Sequence, residues 1–222
     1  MCINSRDIHA QTVKDAYPVT SMDSILDKLR GAKYISQIDL KNAYLQVPME
    51  QNSKNNTAFS VPEKGLYQFV TMSFGLANVP ATFFRLVDAL FGPEFEPNVF
   101  ANLDDIIVVS STYEEHLQWL KFVLDRLVTA GLKINQDKCE FCCSCVTYLG
   151  FLLDEEESRP DPEKTAPVMD YPVPKNIKEL RRLLEIMGWY SRFIQREPEY
   201  KAPLTKLLHK KQSWEWGNEQ DL

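Results

Sequence analysis

No apolar run in the 222-residue sequence approaches the roughly 18 residues that a membrane-spanning helix needs, so no membrane partner is expected. The N-terminus, MCINSRDIHA, lacks the apolar stretch of a secretory signal, and an intracellular, cytoplasmic setting is the default. Internal repeats and low-complexity tracts are missing as well. Five cysteines do not make a disulfide scaffold in a chain of this length. Four of them crowd into CEFCCSC as Cys139, Cys142, Cys143 and Cys145, without the distant second ligand pair that zinc sites usually use and with none of the three histidines nearby. They read as thiols of a buried strand. Excess positive charge is also lacking: the net charge of −6 at first argues against a nucleic-acid partner.

What is present qualifies that exclusion. Hydrophobic residues make up 44%, enough for a sizeable core, and the length accommodates one domain plus a smaller one. Charge is unevenly placed. Residues 154–163, DEEESRPDPE, hold six acids and one arginine, a local −5. Residues 175–196 set Lys175, Lys178, Arg181, Arg182, Arg192 and Arg196 against Glu179 and Glu185, a local +4. A solvated helix face and a phosphate-contacting surface both remain open for that segment.

The spacing predicts a short helix in SMDSILDKLRG, capped by Ser21 and stopped at Gly31, then a strand over 34–40, YISQIDL. Residues 48–65, rich in Pro and Asn, predict loops and short hairpins. A helix in NVPATFFRLVDALFG takes Asn78 as N-cap, Pro80 in its first turn and Gly92 past its end. A second, in TYEEHLQWLKFVLDRLVTAG, has Thr112 and Glu115 in capping-box register, a stripe of Leu117, Leu120, Leu124, Leu127 and Val128, and a stop at Gly131. TYLGFLL, 147–153, predicts one strand; prolines 167, 172 and 174 mark a junction; NIKELRRLLEIMGWYSRFI predicts a last helix capped by Asn176.

Between the two long helices lies ANLDDIIVVS, in which Asp104 and Asp105 sit between two apolar runs. A polar hairpin turn is one reading, and a rigid pair of oxygen ligands for a divalent cation is the other. The element order fits a split βαβ layout, an α+β fold with an antiparallel sheet and helices on one face. First and third strands commonly adjoin in that layout, which would bring Asp39 to the Asp104–Asp105 turn. Three carboxylates in one region repel each other unless a cation neutralises them, and magnesium is a hard ion that favours oxygen ligands.

Several stretches taken together resemble one family. KDAYPVTSMDSILDKLRGAKYISQIDLKNAYLQVPM, YQFVTMSFGLANVPATFFRLVD, NLDDIIVVSS, GLKINQDKCEF, YLGF and RPDPEKTAPVMDYPVPKNIKELRRLLEIMGWYSRFI occur in the order found in reverse transcriptases of gypsy-type LTR retrotransposons, over about residues 2–216. The resemblance implies a right-hand polymerase fold. Residues 1–163 would hold truncated fingers (mainly 1–13 and 48–71) and palm (14–47 and 72–163), and residues 164–222 a thumb and connection segment. It implies RNA-directed DNA synthesis, a nucleotidyl transfer using two Mg²⁺ or Mn²⁺ ions, on an RNA or DNA template with its primer and deoxynucleoside triphosphates.

Carried over residue by residue, Asp39, Asp104 and Asp105 match the catalytic aspartates, and Leu40 the position whose carbonyl helps hold a metal. Tyr44 matches the aromatic gate that excludes a 2′-hydroxyl. Phe74 and Gly75 match the nucleotide pocket, to which Arg6 adds one basic position; Leu149 and Gly150 match the primer grip. Arg181, Arg182, Gly188, Trp189 and Arg192 match the thumb helix that follows the duplex. The sequence departs from the pattern at Asn102, where tyrosine is usual and where a primer contact is expected, at Ser73 and Phe84, and at Glu157 and Ser158 in the turn after the primer grip. The family's fingertip hairpin would precede MCINSR and its RNase H domain would follow SWEWGNEQDL. Without the fingertip a weaker hold on the triphosphate is expected. The longer Pol context, with RNase H and integrase, a possible dimer, and a virus-like particle in the cytoplasm are further implications. These departures leave a second expectation, a catalytically inactive remnant that binds nucleic acid or protein.

Overall fold

Short, largely buried strands with polar residues at one end build the central sheet, and the helices supply its cover. The computed structural model describes residues 5–18, 22–29, 31–156, 158–209, 214–217 and 220. The chain divides into two compact units, residues 1–146 with 153–157 and residues 147–152 with 158–222.

In the first unit, helices α1 (Arg6–Gln11) and α2 (Met22–Lys28) precede β1 (Tyr34–Asp39). Ser21, the expected cap of α2, lies outside the described residues. The Pro/Asn-rich stretch forms a single turn, α3 (Gln51–Lys54), and a hairpin of β2 (Phe59–Val61) and β3 (Gly65–Tyr67). Then come α4 (Val79–Phe91), the hairpin β4 (Val99–Asn102) and β5 (Asp105–Ser110), α5 (Tyr113–Thr129) and β6 (Glu140–Cys143). Four strands make one antiparallel sheet in the order β4-β5-β1-β6. The first strand and the second arm of the hairpin are therefore neighbours, as expected of a split βαβ layout.

Because successive strand residues point to opposite faces, Ile38, Ile106, Val108 and Val99 share one face. They are buried with Val79, Phe83, Val87 and Phe91, which recur every fourth residue of α4, and with Val123 and Leu127 of α5. Truncating a fully buried ring such as Phe83 to alanine typically costs about 3–5 kcal/mol. The opposite face starts apolar, with Ile35, Ile107 and Phe100 buried, and turns polar toward the end of β1, where Gln37, Asn102, Asp105 and Asp39 follow.

Several local expectations change. Asn78 occupies the N-cap position of α4 without capping it. Its amide instead donates to the Val13 carbonyl (2.9 Å) and its oxygen accepts from the Asp15 N–H (3.2 Å). Arg85 pairs with Asp15, and Tyr17 donates to Asp88 (2.6 Å), so residues 13–17 are stitched along α4. Thr112 does cap α5, accepting from the Glu115 N–H at 3.3 Å. The buried line of α5 is shifted, however: His116, Val123 and Leu127 face inward, while Leu117 is 43% and Val128 78% exposed. A polar residue held by hydrogen bonds took a core position that hydrophobicity alone gave to its neighbour.

The predicted strand 147–153 is broken. The chain forms β7 (Cys145–Tyr148) and β8 (Phe151–Asp154) around Leu149 and Gly150, both at positive φ (52° and 84°), and β9 (Ser158–Pro160) follows the acidic turn in a sheet of order β7-β8-β9. Two consecutive left-handed residues make the tight turn whose twist matches a hairpin. The four cysteines are free thiols, Cys145 exposed and the others half-buried, which corrects the buried-strand reading.

In the second unit α6 (Pro162–Met169) contains Pro167, so the proline-rich stretch begins inside a helix. After it, α7 (Ile177–Trp189) ends five residues earlier than its periodicity predicts, and α8 (Glu197–Lys206) follows. Asn176 and Glu179 form a reciprocal cap: Asn176 Oδ1 accepts from the Glu179 N–H (3.0 Å), and the Glu179 carboxylate accepts from the Lys175 N–H (2.8 Å). The Lys175 N–H, and after it the Asn176 side-chain amide donating to the same carboxylate (2.7 Å), hold the Glu179 carboxyl below its ordinary pKa. Leu180, Leu204 and Leu207 form one buried cluster of this unit, with Leu184, Met187, Trp214 and Trp216 against them.

Candidate active site

The polar end of the first unit's sheet is built by strand register. Asp39 closes β1 directly opposite Asp105, which opens β5, and Asn102 of β4 lies opposite Asp105 on its other side. Asn102, Asp105 and Asp39 thus form a row across three strands on the face away from α4 and α5. A two-residue turn, Leu103 at φ 55° and Asp104, links β4 to β5. The Leu40 N–H donates to the Asp104 carbonyl (2.9 Å), and the Asp39 carbonyl accepts from the Asn135 N–H (2.8 Å), so both neighbours of the carboxylates are tied down through their backbones.

Electrostatics follow from this crowding. Asp105 is half-buried, and its pKa is raised, first by burial, then by the Asp104 carboxylate and, less, by Asp39. A hydrogen bond from Gln37 and the ammonium of Lys138 work in the opposite direction. Lys138 Nζ lies 3.7 Å from Asp39 Oδ2. Among the described residues no three His, Cys, Asp or Glu side chains are gathered into a metal-holding group. The donor set is nonetheless all carboxylate, the kind hard divalent cations take, and its mutual repulsion is what such a cation would relieve.

Beside the carboxylates is a cleft of about 380 Å³ lined by Asp39, Lys41, Tyr44, Phe74, Asp104 and Lys138 among others. Tyr44 stands between Phe74 and Phe83, with ring centroids 5.3 Å from each. Burial, followed by the Asp104 charge, raises its pKa, so the phenol stays neutral. Phe74 is 64% exposed and presents its ring to the cleft. Gly75, at φ 87°, carries a carbonyl bonded by His9 of α1, the helix that also bears Arg6, which is exposed. The expected residues Asp39, Leu40, Tyr44, Phe74 and Asp104 therefore line one cleft, and Asp105 and Asn102 flank it through the strand row.

The other expected residues belong to the second unit. Leu149 and Gly150 form the β7–β8 turn. On α7, Arg181, Arg182, Gly188 and Trp189 are exposed, while Leu180, Leu184 and Met187 pack into a buried cluster, and Trp189 is 57% exposed. Arg192 follows in a single helical turn, Ser191–Phe193, and its side chain lies outside the described residues. Sequence reasoning missed Gln37, Asn135 and Lys138. Lys138 sits in the quoted stretch GLKINQDKCEF, yet nothing in its spacing shows that the chain returns it to Asp39.

Comparisons with known proteins point to one family and one fold. Residues 1–153 match the family described as reverse transcriptase (RNA-dependent DNA polymerase). The chain is similar to the retrovirus-related Pol polyproteins from transposons 297 and opus of Drosophila melanogaster, 36% and 33% identical over 94% and 93% of its length. It is 31% identical over 97% of its length to the transposon Tf2-3 polyprotein of Schizosaccharomyces pombe. It spans only 20%, 20% and 16% of those relatives. Among solved structures, the foamy viral protease-reverse transcriptase dRH in complex with double-stranded DNA superposes with a TM-score of 0.87 and 26% identity, covering 97% of this chain and 38% of that one. The foamy viral protease-reverse transcriptase in complex with RNA/DNA hybrid gives 0.81 and 25%, covering 98% and 30%.

Proposed function

The chain belongs to the reverse transcriptase family, and from that premise we propose that it is the polymerase core of a gypsy-type Pol polyprotein, carrying out RNA-directed DNA synthesis. The observation that carries this reading is the register that sets Asp39 opposite Asp105 with Asp104 in the adjoining turn. Asp39, Asp104 and Asp105, with the Leu40 carbonyl, would hold two magnesium or manganese ions. Such ions, when bound, neutralise the carboxylates, polarise the attacking primer hydroxyl and steady the leaving pyrophosphate oxygen.

The chain's own residues divide the remaining work. Lys138 offsets carboxylate repulsion at Asp39. Tyr44, braced by Phe83, presents a ring edge that leaves no room for a 2′-hydroxyl. Phe74 and Gly75 line the base side of the nucleotide site, with Arg6 on the adjacent helix. In the second unit, Leu149 and Gly150 form a primer-contacting turn, and Arg181, Arg182 and Trp189 form a thumb surface for the template–primer duplex, a role that the family resemblance extends to Arg192. There arginines meet phosphates, and Gly188, with nothing within 4 Å of the position a Cβ would take, permits close approach. Residues 1–163 would then serve as fingers and palm, and 164–222 as thumb and connection.

One observation favours a second reading. Asn102 stands in the row beside Asp105 where the family usually has a tyrosine, and an amide cannot supply that ring surface. A chain that binds nucleic acid or protein without polymerising would tolerate this change. Primer extension on an RNA template with Mg²⁺ or Mn²⁺, run beside Asp104→Asn, separates the two. Extension abolished by Asp104→Asn supports the polymerase. Equal extension by both proteins indicates a contaminant and removes the proposal. A salt-dependent gel shift without extension indicates the binding module.

A further inference from the structure

His116 is fully buried, and nothing in the cleft uses it. Its Nε2 lies 2.7 Å from Ser36 Oγ of β1 and its Nδ1 3.0 Å from Ser110 Oγ at the end of β5. Two more bonds set the direction of every proton. Ser110 Oγ donates to the Thr112 carbonyl (3.1 Å), and the Cys142 N–H of β6 donates to Ser36 Oγ (2.9 Å). With its own proton on Thr112, Ser110 accepts from Nδ1–H. Nε2 then holds a lone pair that accepts from the Ser36 hydroxyl. The relay runs from Cys142 through Ser36, His116 and Ser110 to Thr112, one acceptor per proton, and it requires a neutral ring.

The relay sits at an irregularity of the sheet. Ile35 pairs with Cys143 but Gln37 with Glu140, so β6 bulges between them, with Cys142 at φ 52°. The bulge turns the Cys142 N–H out of the ladder, and Ser36 receives it. Lys138 lies two residues before β6, and Asp39 three residues after Ser36.

We propose that His116 is a positioning residue, an acid-releasable latch that holds the bulged edge strand on β1 and keeps Asp39 in register with Asp105. The latch stands whether or not the chain polymerises; only the role of the residues it positions rests on the proposed function. A doubly protonated ring would donate to both serines. Ser36 would then accept from Nε2 and from Cys142, and its own proton would have no acceptor in a site closed to water. Tyr34 of β1 lies beside the ring (centroids 6.2 Å apart) and packs edge-on against Tyr113 of α5, and the Glu115 carboxylate of α5 acts on its charge. Lys33, whose N–H bonds the Ser110 carbonyl, directs its ammonium to Glu155 at 3.4 Å. Glu115 favours the cation, though it accepts a bond from Asn98 (3.2 Å), and burial outweighs it, lowering the His116 pKa.

A histidine whose folded pKa is lowered contributes stability that is present above the unfolded value of about 6.5 and is lost as pH falls below it, by about tenfold in the folding constant per pH unit down to the folded value. The test compares urea unfolding and amide exchange of residues 140–143 from pH 5 to 8, in metal-free buffer, for wild type, His116→Gln and His116→Leu. Glutamine offers one donor and one acceptor and takes up no proton. It is expected to keep neutral-pH stability, flatten the acid loss and protect β6 at pH 5.5. Leucine is expected to speed β6 exchange at pH 7.5. Full wild-type acid loss in His116→Gln, or unchanged β6 exchange in His116→Leu, overturns the latch. Should the leucine variant fail to fold, Ser36→Ala decides: exchange of the Cys142 amide about tenfold faster or more supports the relay, and unchanged exchange rejects it.

Discussion

Asp105 lies directly opposite Asp39 in the β1–β5 ladder, two like charges at a pairing distance where antiparallel sheets normally place complementary partners. The arrangement sacrifices stability to hold acids together. Ionised Asp105 destabilises the fold, because its folded pKa is raised. Stability is therefore fullest below the unfolded value and is lost as pH rises toward the folded one. Asp105→Asn is expected to raise the thermal midpoint of the metal-free protein at pH 7 by less than the ~2–4 °C that a full 1 kcal/mol gives a chain of this size, because solvent screens this partly exposed carboxyl, while abolishing primer extension. Calorimetry without divalent ions checks the first half; a lower midpoint would contradict the electrostatic account.

Tyr44 acts through its ring in the proposed site, since the phenol is kept neutral and the ring packs edge-on against Phe83. Tyr44→Phe is expected to retain discrimination against ribonucleotides, and Tyr44→Val to relax it by about 10–100-fold. The ratio of kcat/KM for deoxy- and ribonucleotides reads this directly. Equal relaxation in both variants would assign selection to the hydroxyl instead.

On α7, Arg181 and Arg182 are exposed beside Trp189. If both meet phosphates, Arg181→Gln with Arg182→Gln is expected to reduce the slope of log K against log salt by about 1.8, nearly one per lost contact. Fluorescence anisotropy with an RNA/DNA hybrid between 50 and 200 mM salt measures it. An unchanged slope would return these arginines to an ordinary solvated face.

The Asn176 cap offers a stability test apart from function. Removing its oxygen leaves the Glu179 N–H without that acceptor at the start of α7. Asn176→Ala is expected to cost about 1 kcal/mol and Asn176→Ser much less, read as amide exchange in the first turn of α7.

The nearness of Asp39 and Asp105 was legible because the element order fits a split βαβ layout, which sets the first and third strands side by side, and one acid closes its strand where the other opens its own. Lys138 was not legible, because its partner is 99 positions earlier and no local period encodes the return. His116 escaped for a different reason: a lone histidine in a leucine-rich helix carries no signal of its serine partners on two strands. Likewise TYLGFLL carries strand-forming residues on both sides of Gly150, and the left-handed backbone at Leu149 and Gly150 divides it into two strands.

The stitching of residues 13–17 along α4 bears on how the chain is made. Asp15 meets Asn78 63 positions later and Arg85 70 positions later, and Tyr17 meets Asp88 71 positions later. At ~5–20 residues per second, this early segment waits about 3 to 14 s during translation before its binding helix has been synthesised. Over that interval it is an open strand of nascent polypeptide, available to chaperones and proteases, and synthesis that stalls before α4 would leave it that way.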